Sequence, residues 1–252
     1  MREHQWQFDK VRENYTYTSL QTTEDIDANG QVQKTETVED QEFFVNGHVI
    51  ERTVKKNGSP LNDHDQQREA ERVSALGEKA KRTPPDQQLV IHATNISRLP
   101  EIITRVLGIM DVRNPRREIW HHRPTIVFDF IGRKDAKTRG LAEDTSKNIQ
   151  GTIWIDEADR QVARLEVIFN DDFRLVGGLV ASVEKGSRFI FDQTLVNGEL
   201  WLPTGGEGTL QARVLLLMSY RQHFFEHDYD YKCLRVEPKQ VKGARVVPGN
   251  EP

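Results

Sequence analysis

The sequence predicts a mainly β protein of the α+β class, a single antiparallel and strongly curved sheet with a few helices packed across it. Three observations carry that expectation. Apolar and polar residues alternate along most of the second half, Asn-Gly dipeptides recur at hairpin spacing, and two stretches between residues 62 and 110 change to helical periodicity. Clean alternation joined by short turns implies antiparallel pairing.

Asn-Gly occurs at Asn29-Gly30, Asn46-Gly47, Asn57-Gly58 and Asn197-Gly198. The pair supplies the two positive-φ residues of a type I′ hairpin turn. Residues 15–23 and 32–38 flank the first, and 42–45 and 48–54 flank the second, so the N-terminal region is expected to form three or four ribbon strands rich in Thr, Tyr and Val. Such polar strands are marginal alone and must add to a larger sheet or stay mobile. After Pro60 a charged run over 62–82, with Asn62 or Asp63 as N-cap and Val73, Leu76 and Ala80 as a narrow stripe, predicts a mostly exposed helix that Pro84-Pro85 ends. A second helix is capped by Ser97. Its Leu99, Ile102, Ile103, Val106, Leu107 and Met110 share one face. At about 1.5–3 kcal/mol for each fully buried side chain, that face must cover something, and a sheet is the expected partner.

From Asp111 onward strand follows strand. Residues 125–130 place Ile126, Phe128 and Phe130 on one side. A hairpin joins 151–155 to 162–169 around residues 156–159, with Ala163, Leu165, Val167 and Phe169 sharing a face. Residues 187–196 and 199–202 form another hairpin, where Pro203 is expected to end the ladder. Residues 209–224 alternate as one strand, and 225–236 close the series. Three regions result: a polar ribbon plus exposed helix over 1–88, continuous with the sheet; the sheet itself over 89–236; and a disordered tail over 237–252.

Apolar residues make up 36% of the chain, and the shortfall lies mainly before Leu89. The first 88 residues carry 12 Lys/Arg against 17 Asp/Glu, a net of −5, and the remainder 23 against 22, a net of +1. Neither half offers the positive stripe that nucleic acid requires. No run approaches the ~20 apolar residues of a membrane span. The start, Met1-Arg2-Glu3-His4-Gln5, has no apolar signal core, which fits a cytosolic protein or an exported one whose signal has been removed. The single Cys233 excludes an internal disulfide and is expected to be a small half-buried apolar group.

Little in the sequence suggests catalysis, a metal or a cofactor. His121 and His122 are adjacent and would point to opposite faces of a strand. His223 and His227 could share a face near Asp228, Asp230 and Cys233, but zinc needs three or four converging ligands. Ser182 and Ser187 lack a nucleophile elbow. Gly177-Gly178 and Gly205-Gly206 lack the residues of a phosphate loop and are expected in loops. Asp171-Asp172 and Asp228/Asp230 suit turns and solvated edges.

The unusual feature is the aromatic content of the strands: Trp120, Phe128, Phe130, Trp154, Phe189, Phe191, Trp201, Phe224 and Phe225. They form either a filled core or a curved sheet with a partly filled apolar concave face, lidded by the second helix. The second alternative describes a container for an apolar ligand. Its expected contacts are Leu99, Ile103, Val106, Leu107, Phe128, Phe130, Trp154, Phe189, Phe191, Leu216 and Met218. The polar strands between residues 15 and 54 suggest a different role, docking of a protein partner by strand addition.

Gly151-Thr152-Ile153-Trp154-Ile155-Asp156, followed by Arg164-Leu165-Glu166, resembles the G-x-h-W-I-D … R-h-E hairpin of bacterial outer-membrane lipoprotein-sorting (LolA-like) proteins. Asn197-Gly198-Glu199-Leu200-Trp201-Leu202-Pro203 resembles the next hairpin of that group, and the likeness covers roughly residues 96–236. The resemblance implies an unclosed half-barrel lidded by helices that holds a lipid or lipoprotein acyl chain in the periplasm, with the export signal removed.

Overall fold

The computed structural model describes residues 11–84, 108–138, 141–175, 181–214 and 218–234. The N-terminal strands β1 (Tyr15–Ile26), β2 (Val32–Val45), β3 (His48–Lys56) and the short β4 (Ser59–Pro60) precede helix α1 (Asp63–Arg82). Strands β5 (Met110–Trp120) and β6 (Arg123–Gly132) lead to a short helix α2 (Leu141–Ser146). The rest is β7 (Ile149–Asp156), β8 (Val162–Phe169), β9 (Phe173–Leu175), β10 (Ala181–Val183), β11 (Arg188–Val196), β12 (Leu200–Val214) and β13 (Met218–Cys233). They form one antiparallel sheet in the order β4-β3-β2-β1-β13-β12-β11-β8-β7-β6-β5, with β10 on β12 and β9 on β10. The two ends do not pair, so the sheet is not a closed barrel. The N-terminal strands join through β1, which runs antiparallel to β13 from Tyr15↔Cys233 to Asp25↔Gln222.

The turn chemistry explains the hairpins. Asn46-Gly47, Asn57-Gly58 and Asn197-Gly198 have positive φ at both residues, as a type I′ turn requires. Asn29-Gly30 differs: only Gly30 has positive φ, and the Asp27 carboxylate accepts the N–H groups of Asn29 and Gln31, both at 2.8 Å, to hold a wider loop. His121 and His122 are not strand residues. Both have positive φ and form the two-residue turn between β5 and β6.

Helix α1 begins at Asn62, whose side chain accepts the Asp65 N–H at 2.9 Å. Val73 and Ala80 are buried and pack on Ile50, with Leu76, Phe43 and Val45 beside them. The same helix finishes the edge of β3. Glu69 accepts the Thr53 N–H at 2.7 Å, and Arg72 donates to the Glu51 carbonyl at 2.7 Å. At its far end, Asn46 donates to the Ala80 and Thr83 carbonyls, at 3.2 and 2.9 Å.

Four local expectations are corrected. Residues 209–224 are not one strand: β12 ends at Val214, β13 starts at Met218, and the two pair in register at Val214↔Met218. No Gly, Pro, Asn or Asp marks that reversal, so the apolar alternation runs straight across it. Pro203 does not end the ladder. It lies inside β12 opposite Gln193, at a bulge where the missing N–H is tolerated. Gly205 and Gly206 are strand residues, and Gly205 (φ +136°) must be glycine because a Cβ would lie 2.1 Å from the Glu226 carbonyl oxygen. Cys233 is exposed. The predicted second helix and the tail lie outside the described residues, except that Met110 opens β5.

Candidate ligand-binding face

Each strand presents alternate residues to one side. On one side of β5, β6, β7, β8, β11 and β13, Met110, Phe130, Ile153, Leu165, Phe191 and Phe224 form a buried apolar cluster. Phe128, Ile155, Val167, Phe189 and Leu210 are half-buried around it. Register aligns this field: Phe130↔Gly151↔Val167↔Phe189↔Gly208↔Phe224 runs straight across six strands. Two glycines in that row make room for rings. A Cβ on Gly151 would meet the Glu166 carbonyl oxygen at 1.8 Å and the Phe130 ring at 2.7 Å, and one on Gly208 would meet the Phe224 ring at 2.2 Å.

Four of the predicted contacts, Phe128, Phe130, Phe189 and Phe191, are brought together there. Trp154 is not. It belongs to a second cluster with Val127, Ala163 and Trp201, bordered by Trp120 and Leu195. Leu99, Ile103, Val106, Leu107 and Leu216 lie outside the described residues. Met218 begins β13.

The hairpin motif that carries the family resemblance is a framework. The Arg164 guanidinium lies 4.8 Å over the Trp120 ring and 5.7 Å from Trp154, and donates to both Asp192 oxygens at 2.8 Å and to Glu166 at 2.8 Å. Trp154 donates to Glu118 at 2.9 Å. Asp156 takes two bonds from Arg123, at 2.6 and 3.0 Å, and accepts the Ala158 and Asp159 N–H groups that close the turn. Every charged member is thus committed to a partner within the sheet. On the polar side an open cleft of about 640 Å³ runs from Arg113 and Asn114 across Asp129, Thr152 and Glu166 to Arg188.

Sequence reasoning missed the carboxylates. On the side of β13 that carries Phe224 come next Glu226 and Asp228, and the neighbouring strands add Tyr17 and Ser19 on β1 and Asp40 and Glu42 on β2. All six are buried. Asp228 was expected at a solvated edge, yet it is 3% exposed. Only Asp230, with positive φ and an ion pair to Lys232, is a surface residue. Burial pushes Asp228 up to about 7 and Asp40 up to about 6. Glu42 rises well above the usual carboxylate range, first through burial and then through Glu51, Glu226 and Asp228, while the Tyr17 hydroxyl donates to it at 2.8 Å. The signal was available: Glu226 and Asp228 follow Phe224, and Asp40 and Glu42 precede Phe44, all at period two.

No protein-family model and no curated protein matches the chain. Several solved structures are similar in fold. A LolA superfamily protein from Nitrosomonas europaea shares 13% identity, over 95% of this chain and 96% of that one, with a TM-score of 0.35. A domain assigned to outer membrane lipoprotein sorting, from Vibrio parahaemolyticus, shares 9% over 91% and 90%, with a TM-score of 0.38. MucB in its complex with MucA, from Pseudomonas aeruginosa, shares 8% over 91% and 94%, with a TM-score of 0.25.

Proposed function

We propose that the protein is a periplasmic binding protein that holds a lipid or lipoprotein acyl chain against the apolar side of its sheet, in a role like lipoprotein sorting. The observation that supports this reading is the aligned field of Phe130, Val167, Phe189 and Phe224. Its rim of half-buried rings, Phe128 and Phe189, offers contact area that a chain would complete. Leu99, Ile103, Val106, Leu107, Leu216 and Met218 belong to the same proposal as sequence-predicted contributors. Export is proposed with it and follows from the hairpin resemblance; fractionation of cells expressing the gene from its native start tests it.

A polarity-sensitive apolar dye and its displacement by palmitate provide the assay. Saturable binding is expected, weakened at least tenfold by Phe189→Ser with an unchanged circular dichroism spectrum. Absence of saturable binding to the wild type overturns the reading. A second reading has its own support, because the six central residues of the cluster are at most 7% exposed. On that reading the face is a filled core and the protein docks an envelope partner without a small ligand.

A further inference from the structure

The apolar side of the sheet continues, without changing side, into buried carboxylates. Phe224, Glu226 and Asp228 alternate along β13, which places Asp228 about 13 Å from Phe224 at about 3.3 Å per residue. Ser19 pairs in register with Asp228 on one side and with Asp40 on the other, and Glu42 follows two residues along the same side of β2. Ser19, Asp40, Glu42 and Asp228 are all at most 5% exposed. Buried polar atoms nearly always have partners. Here the Ser19 hydroxyl, both oxygens of Asp228 and one oxygen each of Asp40 and Glu42 make no hydrogen bond. Ser19 is near enough to Asp228 to counter the rise in its pKa, without completing a bond.

What would satisfy this patch is a positive charge carrying several N–H donors. A metal ion fits poorly, since among the described residues no three His, Cys, Asp or Glu side chains converge as ligands. The described cation nearest to it in effect, Arg72, is committed to Glu69 and the Glu51 carbonyl. A primary ammonium brings three donors on a compact charge and can bridge the carboxylates of β13 and β2 across Ser19 of the intervening β1.

We infer that the ligand of the apolar face is a single-chain cationic amphiphile, its chain lying along the half-buried Phe128, Val167 and Phe189 and its primary ammonium seated among Asp228, Asp40, Glu42 and Ser19. The inference rests on the apolar-binding reading above and adds the head group. It has a pH signature. The carboxylates hold protons that the ammonium displaces, so binding releases protons and tightens from pH 6 to pH 8. The other titratable or charged groups around the seat are Tyr17, Glu51, Glu226, Tyr231, Glu69 and Arg72, and of these only Arg72 opposes a cation.

The test uses the full chain and four probes below their aggregation concentrations: decylammonium, decanol, decanoate and methylammonium, each displacing the apolar dye or followed by calorimetry. Decylammonium is expected to bind at least tenfold more tightly than decanol, with decanoate weakest and methylammonium alone not competing. Asp228→Asn should bring decylammonium to the level of decanol without changing decanol itself, and Ser19→Ala should weaken decylammonium alone. If the three chain compounds bind alike, or the variants weaken all of them equally, the head-group inference falls and the apolar reading stands. If methylammonium binds as tightly as decylammonium, the carboxylates form a separate amine site and the amphiphile is wrong. If no chain compound binds, both readings fall together.

Discussion

Raising the pH should destabilise this protein over a range in which most proteins are near their most stable. The perturbed groups are Asp228 and Asp40, 3% and 5% exposed, whose carboxyls burial pushes up from 3.8 to about 7 and about 6. The sign follows from proton counting. Between about pH 4 and pH 7 the folded protein keeps protons that the unfolded chain has already lost, so the unfolding free energy falls as pH rises through that window and levels off above it. A rise from 3.8 to about 7 corresponds to about 4 kcal/mol for Asp228 at about 1.4 kcal/mol per pH decade, against a typical total of about 5–15 kcal/mol. Asp40 adds to the same loss. Urea denaturation at pH 5 and pH 8 measures it: with slopes of about 3 kcal/mol per molar, the midpoint should drop by about 1 M. Asp228→Asn cannot ionise, so this variant should show a shallower pH dependence and exceed the wild type in stability at pH 8. A wild-type midpoint that is flat or rises between pH 5 and pH 8, with Asp228→Asn no more stable at pH 8, would refute the burial argument.

Three further outcomes test the framework. Gly151→Ala puts a Cβ 1.8 Å from a backbone carbonyl that cannot step aside, so thermal denaturation should show a loss of about 3 kcal/mol or more. Gly77→Ala is the opposite case: nothing lies within 4 Å, the residue sits inside α1, and the melt should show a gain of about 0.5–1 kcal/mol. Arg164→Lys keeps the charge but cannot match the two-oxygen contact with Asp192 or lie flat over Trp120 and Trp154; unfolding should cost about 1–3 kcal/mol, and the tryptophan emission should shift.

The fold was legible wherever local chemistry decides it. Three Asn-Gly turns, the hairpin of β7 and β8, the shared face of Leu165, Val167 and Phe169, and the Asn62 cap each depend on residues within a few positions of one another. Ala163, expected on that same face, sits at the bulge opposite Trp154 and Ile155 and joins the cluster on the other side. Legibility failed where a contact distant in sequence overrode a local rule. The β12–β13 reversal carries no turn residue on its described sides. Pro203 survives inside a strand because the bulge near Thr204 removes the need for its N–H. Of the predicted contacts, Phe128, Phe130, Phe189 and Phe191 could be read from strand alternation, whereas Trp154 could not be placed. Its surroundings are the ring, carboxylate and guanidinium that Trp120, Glu118 and Arg164 bring from other strands. The carboxylates were missed because a charged residue alternating along a strand is ordinarily the solvated half of the pattern.

An unclosed sheet of this length must manage two edges, and how it does so bears on the function proposed. On one side Glu69 and Arg72 of α1 occupy the Thr53 N–H and the Glu51 carbonyl, so the β3 edge is finished by side chains. On the other, β5 is interrupted by Asn114 at positive φ and a register shift between Arg113 and Arg116, followed by Pro115, which has no N–H to offer. Exposed Arg113, Arg116 and Arg117, ion-paired to Asp111, Glu118, Asp129 and Glu157, keep the same edge charged. Closing into a barrel would also have removed both edges, but it would have wrapped the half-buried Phe128, Val167 and Phe189 into a sealed interior. Protecting the edges one by one removes the hazard of edge-to-edge pairing without requiring closure. It also leaves the apolar side of the sheet continuous from Met110 on β5 to the carboxylates on β13 and β2, which is the geometry an elongated ligand with chemically distinct ends requires.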